Sequence, residues 1–378
     1  MSSPPFYRPC WADIDLGALR HNFRELKRRI SAKTRVMTVV KADGYGHGLV
    51  PAARAAVSCG ASFLGVSSLE EGVALRRAGV RAPVLVLGTL YPFGNFPVLF
   101  REKLVPTVAS PGTADALNRL AHRRRERLPV HLKIDTGFGR IGVSVPNALK
   151  FIEHAAGCSG LMLQGLFTHF SSSDVDPAAT RAQAGAFWTV VRGAAAKGIR
   201  PPWIHLANSS ALLRFPQTHG TMVRPGLAFY GAVPYAGADR VVSLRPALTW
   251  KTKVIYLKTV PKGFTVSYAR TWKASRATRV ATLAVGYADG YPRSLSNQGE
   301  VLLKGRRARV IGRVTMDMMM VDATGIPSCR IGDEAVLIGA QGGERLTVEE
   351  VAGKARTNAY EILSRIAGRV PRIYHEQN

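Results

Sequence analysis

Across its first 240 residues the chain alternates short apolar runs of strand length with segments whose apolar residues recur every three or four positions, a rhythm that constrains the fold more than any single motif. Leu16, Leu19, Phe23, Leu26 and Ile30 form the first amphipathic stripe, behind Asp13 and Asp15 as candidate helix caps. A strand is expected over 35–40, ending on Lys41. The helical LVPAARAAVSC stops at Gly60 before the strand ASFLGV, and LEEGVALRRA stops at Gly79 before PVLVLG. Strand-like runs recur at 104–108, 130–135, 161–168, 203–207 and 221–229, which brings the count to eight. Eight βα units predict an α/β fold, a TIM-type (β/α)8 barrel whose site lies at the carboxyl ends of its strands. A doubly wound sheet is the alternative.

The periodicity changes between Gly237 and Ser243. Beyond it, ALTWKTKVIYLKTV, RVATLAVGYA, EVLLKG, ARVIGRVTMDMMMV and EAVLIG are strand-rich, and only VEEVAGKARTNAYEILSRI reads as helix. We therefore expect a barrel over 1–240 and a mainly β domain over 241–378, with residues 1–14 expected to pack with the second. A chain of 378 residues is long enough for two cores.

Composition excludes several classes. No apolar run approaches a membrane span, and the amino-terminal MSSPPFYRPCW has no basic segment followed by an apolar stretch, so a cytoplasmic protein with no membrane partner is expected. Cys10, Cys59, Cys158 and Cys329 lack CxxC spacing, which argues against a metal site or a disulfide framework. The formal charge of +27 attracts anions in general. Its densest run, HRRRERL at 122–128, suits the end of a helix, and specific nucleic-acid binding is not expected.

The chemistry collects at the expected strand ends. Lys41 closes a β-branched run and opens VVKADGYGHG, where Gly44, Gly46 and Gly48 would let backbone approach a ligand closely. A lysine so placed is poised for a Schiff base, so a pyridoxal phosphate (PLP) enzyme is the first hypothesis and a surface lysine beside an ordinary loop the alternative. Later strands end near Lys133 and Arg140, near Thr168 and His169, at Asn208 and Ser209, and at Arg224, Gly226 and Leu227. Ser209, Gly226, Leu227 and Tyr45 have the donors that a phosphate requires. Taken singly, Ser209 is also a helix cap, Gly226 a packing glycine and His169 a histidine satisfied within its own turn.

The runs VVKADGYGHG, HLKIDTGFGRIG, GLFTHFSSSD, HLANSSALL, MVRPGLAFYG, VSYARTW, VGYADGYPR, GRVTMDMMMVD and RVPRIY together resemble the bacterial alanine racemases, from Trp11 to Tyr374. The resemblance implies a PLP-dependent racemase with an amino-terminal barrel, a carboxyl-terminal β domain and D-alanine for peptidoglycan as its product. It implies Lys41 as the cofactor lysine and one base, and Tyr268 as the opposite base, in a head-to-tail homodimer that brings Tyr268 and Met316 to the other subunit's cofactor. Arg224 would face the ring nitrogen, and with His169 would polarise the surroundings of Tyr268.

The same resemblance places Tyr45, Ser209, Gly226, Leu227 and Tyr360 at the phosphate, with Asn208 nearby. Arg140 and Met316 would hold the substrate carboxylate, with Lys133 a candidate for carbamylation. Tyr287, Arg293, Arg313 and Asp317 would line the entrance. Ala269 departs from the family, where glycine is common after the tyrosine. A broader racemase acting on serine or other small amino acids is the alternative. Two other readings fit less well. A barrel decarboxylase would pair the ring nitrogen with a carboxylate, and a non-catalytic PLP carrier would consist of a single barrel.

Overall fold

The computed structural model describes residues 7–376. Its contacts divide the chain into two compact units. One holds residues 19–44 and 49–244; the other holds the chain up to Ala18, the short segment 45–48, and the chain from Arg245 onward.

The first unit is a parallel barrel of eight strands: β1 (Arg35–Val39), β2 (Phe63–Val66), β3 (Val84–Val86), β4 (Val105–Val108), β5 (Leu128–Asp135), β6 (Leu161–Phe167), β7 (Trp203–His205) and β8 (Met222–Val223). Pairing runs in that order, and β8 returns to β1 in register, Met222 opposite Arg35. The β7–β8 seam is bridged by Thr221 N to Ile204 O at 2.9 Å and Arg224 N to Ala207 O at 2.8 Å. Met37, Phe63, Leu85, Val105 and Met222, one each from β1 to β4 and β8, form one buried cluster of the interior. Each such side chain withdrawn from water contributes about 1.5–3 kcal/mol.

Several expectations change. The run 221–229 gives only the two residues of β8, because Pro225 cannot donate to a ladder and Gly226 turns the chain into a 3-10 turn over Leu227–Tyr230. Asp15 does cap the first helix, Leu16–Lys27, accepting from Ala18 N at 3.0 Å. Asp13 does not: it pairs with Lys251 at 3.0 Å and with His375 at 2.9 Å.

The second unit is a nine-stranded sheet that includes Cys10–Asp15, paired with both Leu248–Val260 and Arg372–His375. Leu248–Val260 also pairs with Glu334–Gln341, which closes six of the strands on themselves. The single helix expected near the carboxyl end is two, Val348–Ala355 and Ala359–Ser364. Arg356 adopts a left-handed φ of 58°, and the Asn358 side chain caps the second helix by accepting from Glu361 N.

No helix of the described residues is long and apolar enough to cross a membrane. Gly220, with φ +60°, stands just before the β7–β8 seam, and a Cβ there would lie 2.2 Å from the Ile204 carbonyl oxygen. Gly220→Ala should therefore destabilise the barrel by about 2 kcal/mol or more in urea denaturation. An unchanged midpoint would show that the seam does not need that approach.

Candidate active site

Lys41 stands two residues past the end of β1, at the carboxyl end of the barrel. The residues after it form an unusual turn: Ala42, Asp43, Gly44 and Tyr45 all take left-handed backbone angles, which cost side-chain-bearing residues about 1–2 kcal/mol each. Three bonds hold it. Ala42 N donates to Glu71 Oε1 at 2.6 Å, Leu49 N to Asp43 Oδ1 at 2.8 Å, and Gly44 N to Val40 O at 2.9 Å. The other oxygen of Glu71 accepts from Ser67 N at 2.8 Å, which fixes the carboxylate.

The glycines of this stretch also have a packing role, since other parts of the protein come close to two of them. A Cβ on Gly46 would meet the Leu363 carbonyl oxygen at 2.1 Å, and one on Gly48 the Tyr374 hydroxyl at 2.1 Å. Tyr45 is buried, its ring centroid 5.9 Å from that of Tyr360.

The end of β5 and the loop after it bring two more cations. Lys133 is buried with its Nζ 5.4 Å from the centre of the Phe167 ring, and the Arg140 guanidinium lies 4.3 Å over Phe138. Burial is the largest cause pulling the Lys133 ammonium down to about 8, with the charges of Arg224, Arg140 and Lys41 adding to it. Lys41 is lowered in the same way, first by burial and then by Arg140, while Glu71 opposes the shift. Asp135 is the acid at this end of β5, and the Gly137, Phe138 and Gly139 amides all donate to it. It is thereby held ionised below its ordinary range, despite partial burial.

Arg224, just past β8, is the buried cation at the centre. Its Nη1 donates to His205 O at 2.7 Å and faces His205 Nδ1 at 3.0 Å. Its Nη2 donates to Thr168 O at 2.7 Å and Leu206 O at 3.0 Å, and faces His169 Nδ1 at 3.4 Å. Both histidines are driven well below the ordinary imidazole range, by burial first and Arg224 second.

These contacts fix the tautomers, because a guanidinium can only donate. His205 accepts at Nδ1, so its proton is on Nε2 and is given to His131 Nδ1, 2.9 Å away. His131, lowered to about 3 by burial and Arg224, then carries its proton on Nε2, buried without an acceptor. His169 likewise accepts at Nδ1 and presents Nε2–H.

Ser209 is not the helix cap. Asn208 fills that role, accepting from Ala211 N at 3.0 Å. The buried Ser209 Oγ instead accepts from Gly226 N at 3.0 Å and Ala228 N at 3.2 Å, so Ser209, Gly226 and Leu227 do come together.

The second unit groups the remaining candidates. Tyr268 is 72% exposed and opens a 3-10 turn in which Ala269 has φ 58°, the left-handed conformation that explains why glycine suits this position. Ser267 Oγ donates to Arg313 O at 2.7 Å. Ser296 Oγ joins the two arginine loops, donating to Arg293 O and accepting from Val314 N. Tyr287 N donates to Thr315 O and Ala288 N to Met316 O, each at 3.0 Å. The buried Asp289 accepts from Arg8 at 2.7 Å and Arg369 at 2.8 Å, and Arg369 also reaches Asp317 at 2.7 Å.

Glu71, His131, His205 and Asp289 are absent from the sequence-based set. For His131 a signal existed: it stands two residues before Lys133 on one strand, so both side chains point the same way. Nothing in the sequence connects Glu71 with Ala42.

Comparison with known proteins agrees with this architecture. The family model described as alanine racemase, N-terminal domain, matches residues 14–234, and that described as alanine racemase, C-terminal domain, matches 247–374. Alanine racemases from Halothermothrix orenii and Symbiobacterium thermophilum are 45% and 47% identical, each over 97% of both chains. The crystal structure of alanine racemase from Streptomyces lavendulae superposes with a TM-score of 0.93 at 35% identity, covering 99% of both chains. That from Bacillus anthracis with bound L-Ala-P gives 0.91 at 36% identity, covering 99% of this chain and 96% of the other. A lysine at the mouth of an eight-stranded barrel, followed by a closed β domain, thus has full-length counterparts, and the chain belongs to the alanine racemase family.

Proposed function

We propose that this protein interconverts L- and D-alanine with PLP held on Lys41, using Lys41 and Tyr268 as bases on opposite faces of the substrate carbon, and that its D-alanine serves peptidoglycan. The observation that carries the reading is the Lys41 amine at the end of β1, its proton affinity lowered by burial and by Arg140. A lysine so tuned spends more time neutral, the form needed both to condense with an aldehyde and to accept a proton. Family membership supports the substrate.

The donor set fits the cofactor. Arg140 and Arg224 would bring positive charge to a phosphate-bearing aldehyde, and Tyr45, Ser209, Gly226, Leu227 and Tyr360, with Asn208 beside them, would surround its phosphate, where Ser209 Oγ takes the Gly226 and Ala228 amides. When bound, the cofactor supplies an electron sink that makes the α-proton of an amino acid removable. Both amino groups of Arg224 are committed to protein acceptors, which leaves Nε–H to face the ring nitrogen. A guanidinium gives up no proton to that nitrogen and disfavours a second cation there. With Arg224 as its neighbour the bound cofactor would be a weak electron sink, which would favour return of the proton over transamination or decarboxylation.

The tautomer of His169 serves Tyr268. With Nδ1 turned to Arg224, its Nε2–H is the donor that would stabilise a phenolate, which a tyrosine base requires. Arg140 and Met316 would bind the substrate carboxylate, and Tyr287, Arg293, Arg313 and Asp317 would restrict entry to small amino acids. Lys133, lowered to about 8, has a larger neutral fraction than an ordinary lysine, and that amine would add carbon dioxide and lose a proton to give a carbamate anion that would hold Arg140 in place. The exposure of Tyr268 and of Met316, at 72% and 53%, supports a homodimer in which each serves the other subunit's site. A cytoplasmic setting fits the four free cysteines.

Lys41→Ala and Tyr268→Phe should each lower racemisation by roughly a hundredfold or more. Dissociated, mixed in equal amounts and reassociated, the two variants should regain about a quarter of wild-type activity, because half the dimers are then hybrids with one intact site. Chirality of alanine is the readout. No recovery, with hybrid dimers demonstrated by mass, would sink the shared site.

A second measurement isolates the tuning of Lys41. In cofactor-free protein, Arg140→Gln removes a repelling charge, so the pH midpoint for acylation of Lys41, followed by peptide mass spectrometry, should move upward. A fixed or lower midpoint would remove Arg140 from that role.

A further inference from the structure

At the amino-terminal ends of its strands, opposite the end that carries Lys41, the barrel presents an open pocket of about 580 Å³, within the size range of small-molecule sites. Nothing in the racemase reading uses it. Its apolar floor includes Phe63 and Trp203, the first residues of β2 and β7, whose rings meet edge to face at 5.7 Å. Its walls carry four cations: Arg35 at the start of β1, Arg76, Arg81 in the loop before β3, and Lys103 in the loop before β4. Among the described residues no carboxylate lines it.

Among the described residues none of the four is a member of an ion pair. Arg76 is fixed by backbone carbonyls, donating to Glu102 at 2.9 Å, Val80 at 2.8 Å, Ala82 at 2.9 Å and Lys103 at 3.1 Å, which satisfies its hydrogens without cancelling its charge. The Glu102 carboxylate, whose charge does reach Arg76, is paired with Arg101 at 2.8 Å. Arg35 also presses on Lys27, whose ammonium is lowered first by burial and second by that neighbour. Mutual repulsion of this kind is relieved when an anion enters. The part of the chain's +27 charge gathered here thus surrounds the partly exposed Trp203 rather than a featureless surface.

We propose that this pocket binds a flat aromatic anion of the mononucleotide type, its ring packed on the partly buried Trp203 and its phosphate held by Arg35, Arg81 and Lys103. Aromatic stacking and a cationic rim each contribute part of the affinity, so both halves of such a ligand are needed. An uncharged ring forgoes the rim, and a bare phosphate forgoes the floor.

Adenosine monophosphate is the probe, titrated into the PLP-loaded enzyme at low salt so that the barrel mouth is already filled. Tryptophan emission should change saturably in wild type and lose that change in Trp203→Phe, while calorimetry still detects binding. The double variant Arg81→Gln/Lys103→Gln, with racemase activity unchanged as the check on folding, should bind roughly tenfold more weakly. Adenosine and inorganic phosphate should each bind less tightly than the nucleotide. The proposal is overturned by the absence of saturable binding, by an emission change that persists in full in Trp203→Phe, by equal affinity in the double variant, or by inorganic phosphate matching the nucleotide.

Discussion

The barrel mouth is organised around one buried guanidinium. An ion in a protein interior is costly unless its hydrogens are met, and Arg224 meets its own with the carbonyls of Thr168, His205 and Leu206 and the Nδ1 atoms of His169 and His205. Those carbonyls belong to the ends of β6 and β7. Arg224's own amide donates to Ala207 across the seam. The residue therefore closes the barrel, sets two histidine tautomers and fixes the charge at the centre of the site. Removing any of its acceptors would leave a buried cation short of a partner.

That charge governs what the other groups can do. His131, His169 and His205 are held neutral beside it, and Lys133 and Lys41 are lowered by burial and by cations. Asp135, the nearby acid, is tied to three amides and is not available as a base. Lys133 is thus brought down to about 8, and Lys41 is shifted in the same direction, which agrees with a reaction that uses a neutral amine. The left-handed turn after Lys41 adds backbone strain on the same side, and Glu71 is the anchor that offsets it.

Much of this was legible along the chain. The βα rhythm marks all eight barrel strands, and the change of periodicity after residue 240 marks the β domain, because strand and helix periods are local properties. Lys41, Arg140 and His169 were identifiable because each follows a run that reads as a strand, and Arg224 because it stands within one. The length of β8 was not legible: the run through 229 is apolar enough for a strand, and only Pro225 and Gly226 stop it. Asp13 looked like a cap because the partners it actually has, Lys251 and His375, are more than two hundred residues away. The packing of Gly46 and Gly48 was hidden for the same reason, since Leu363 and Tyr374 are distant in sequence.

The sequence by itself determined the two architectures, the order of their elements and the residue types that a Schiff-base enzyme needs, all carried by short-range pattern. Tertiary structure alone decided the electrostatics. Which histidines are neutral, which nitrogen bears the proton, and which acid anchors the Lys41 turn depend on Arg224, His205, His131 and Glu71 meeting across the barrel. Hydrogen-bond direction and desolvation are set by such three-dimensional neighbours, and no spacing along the chain records them.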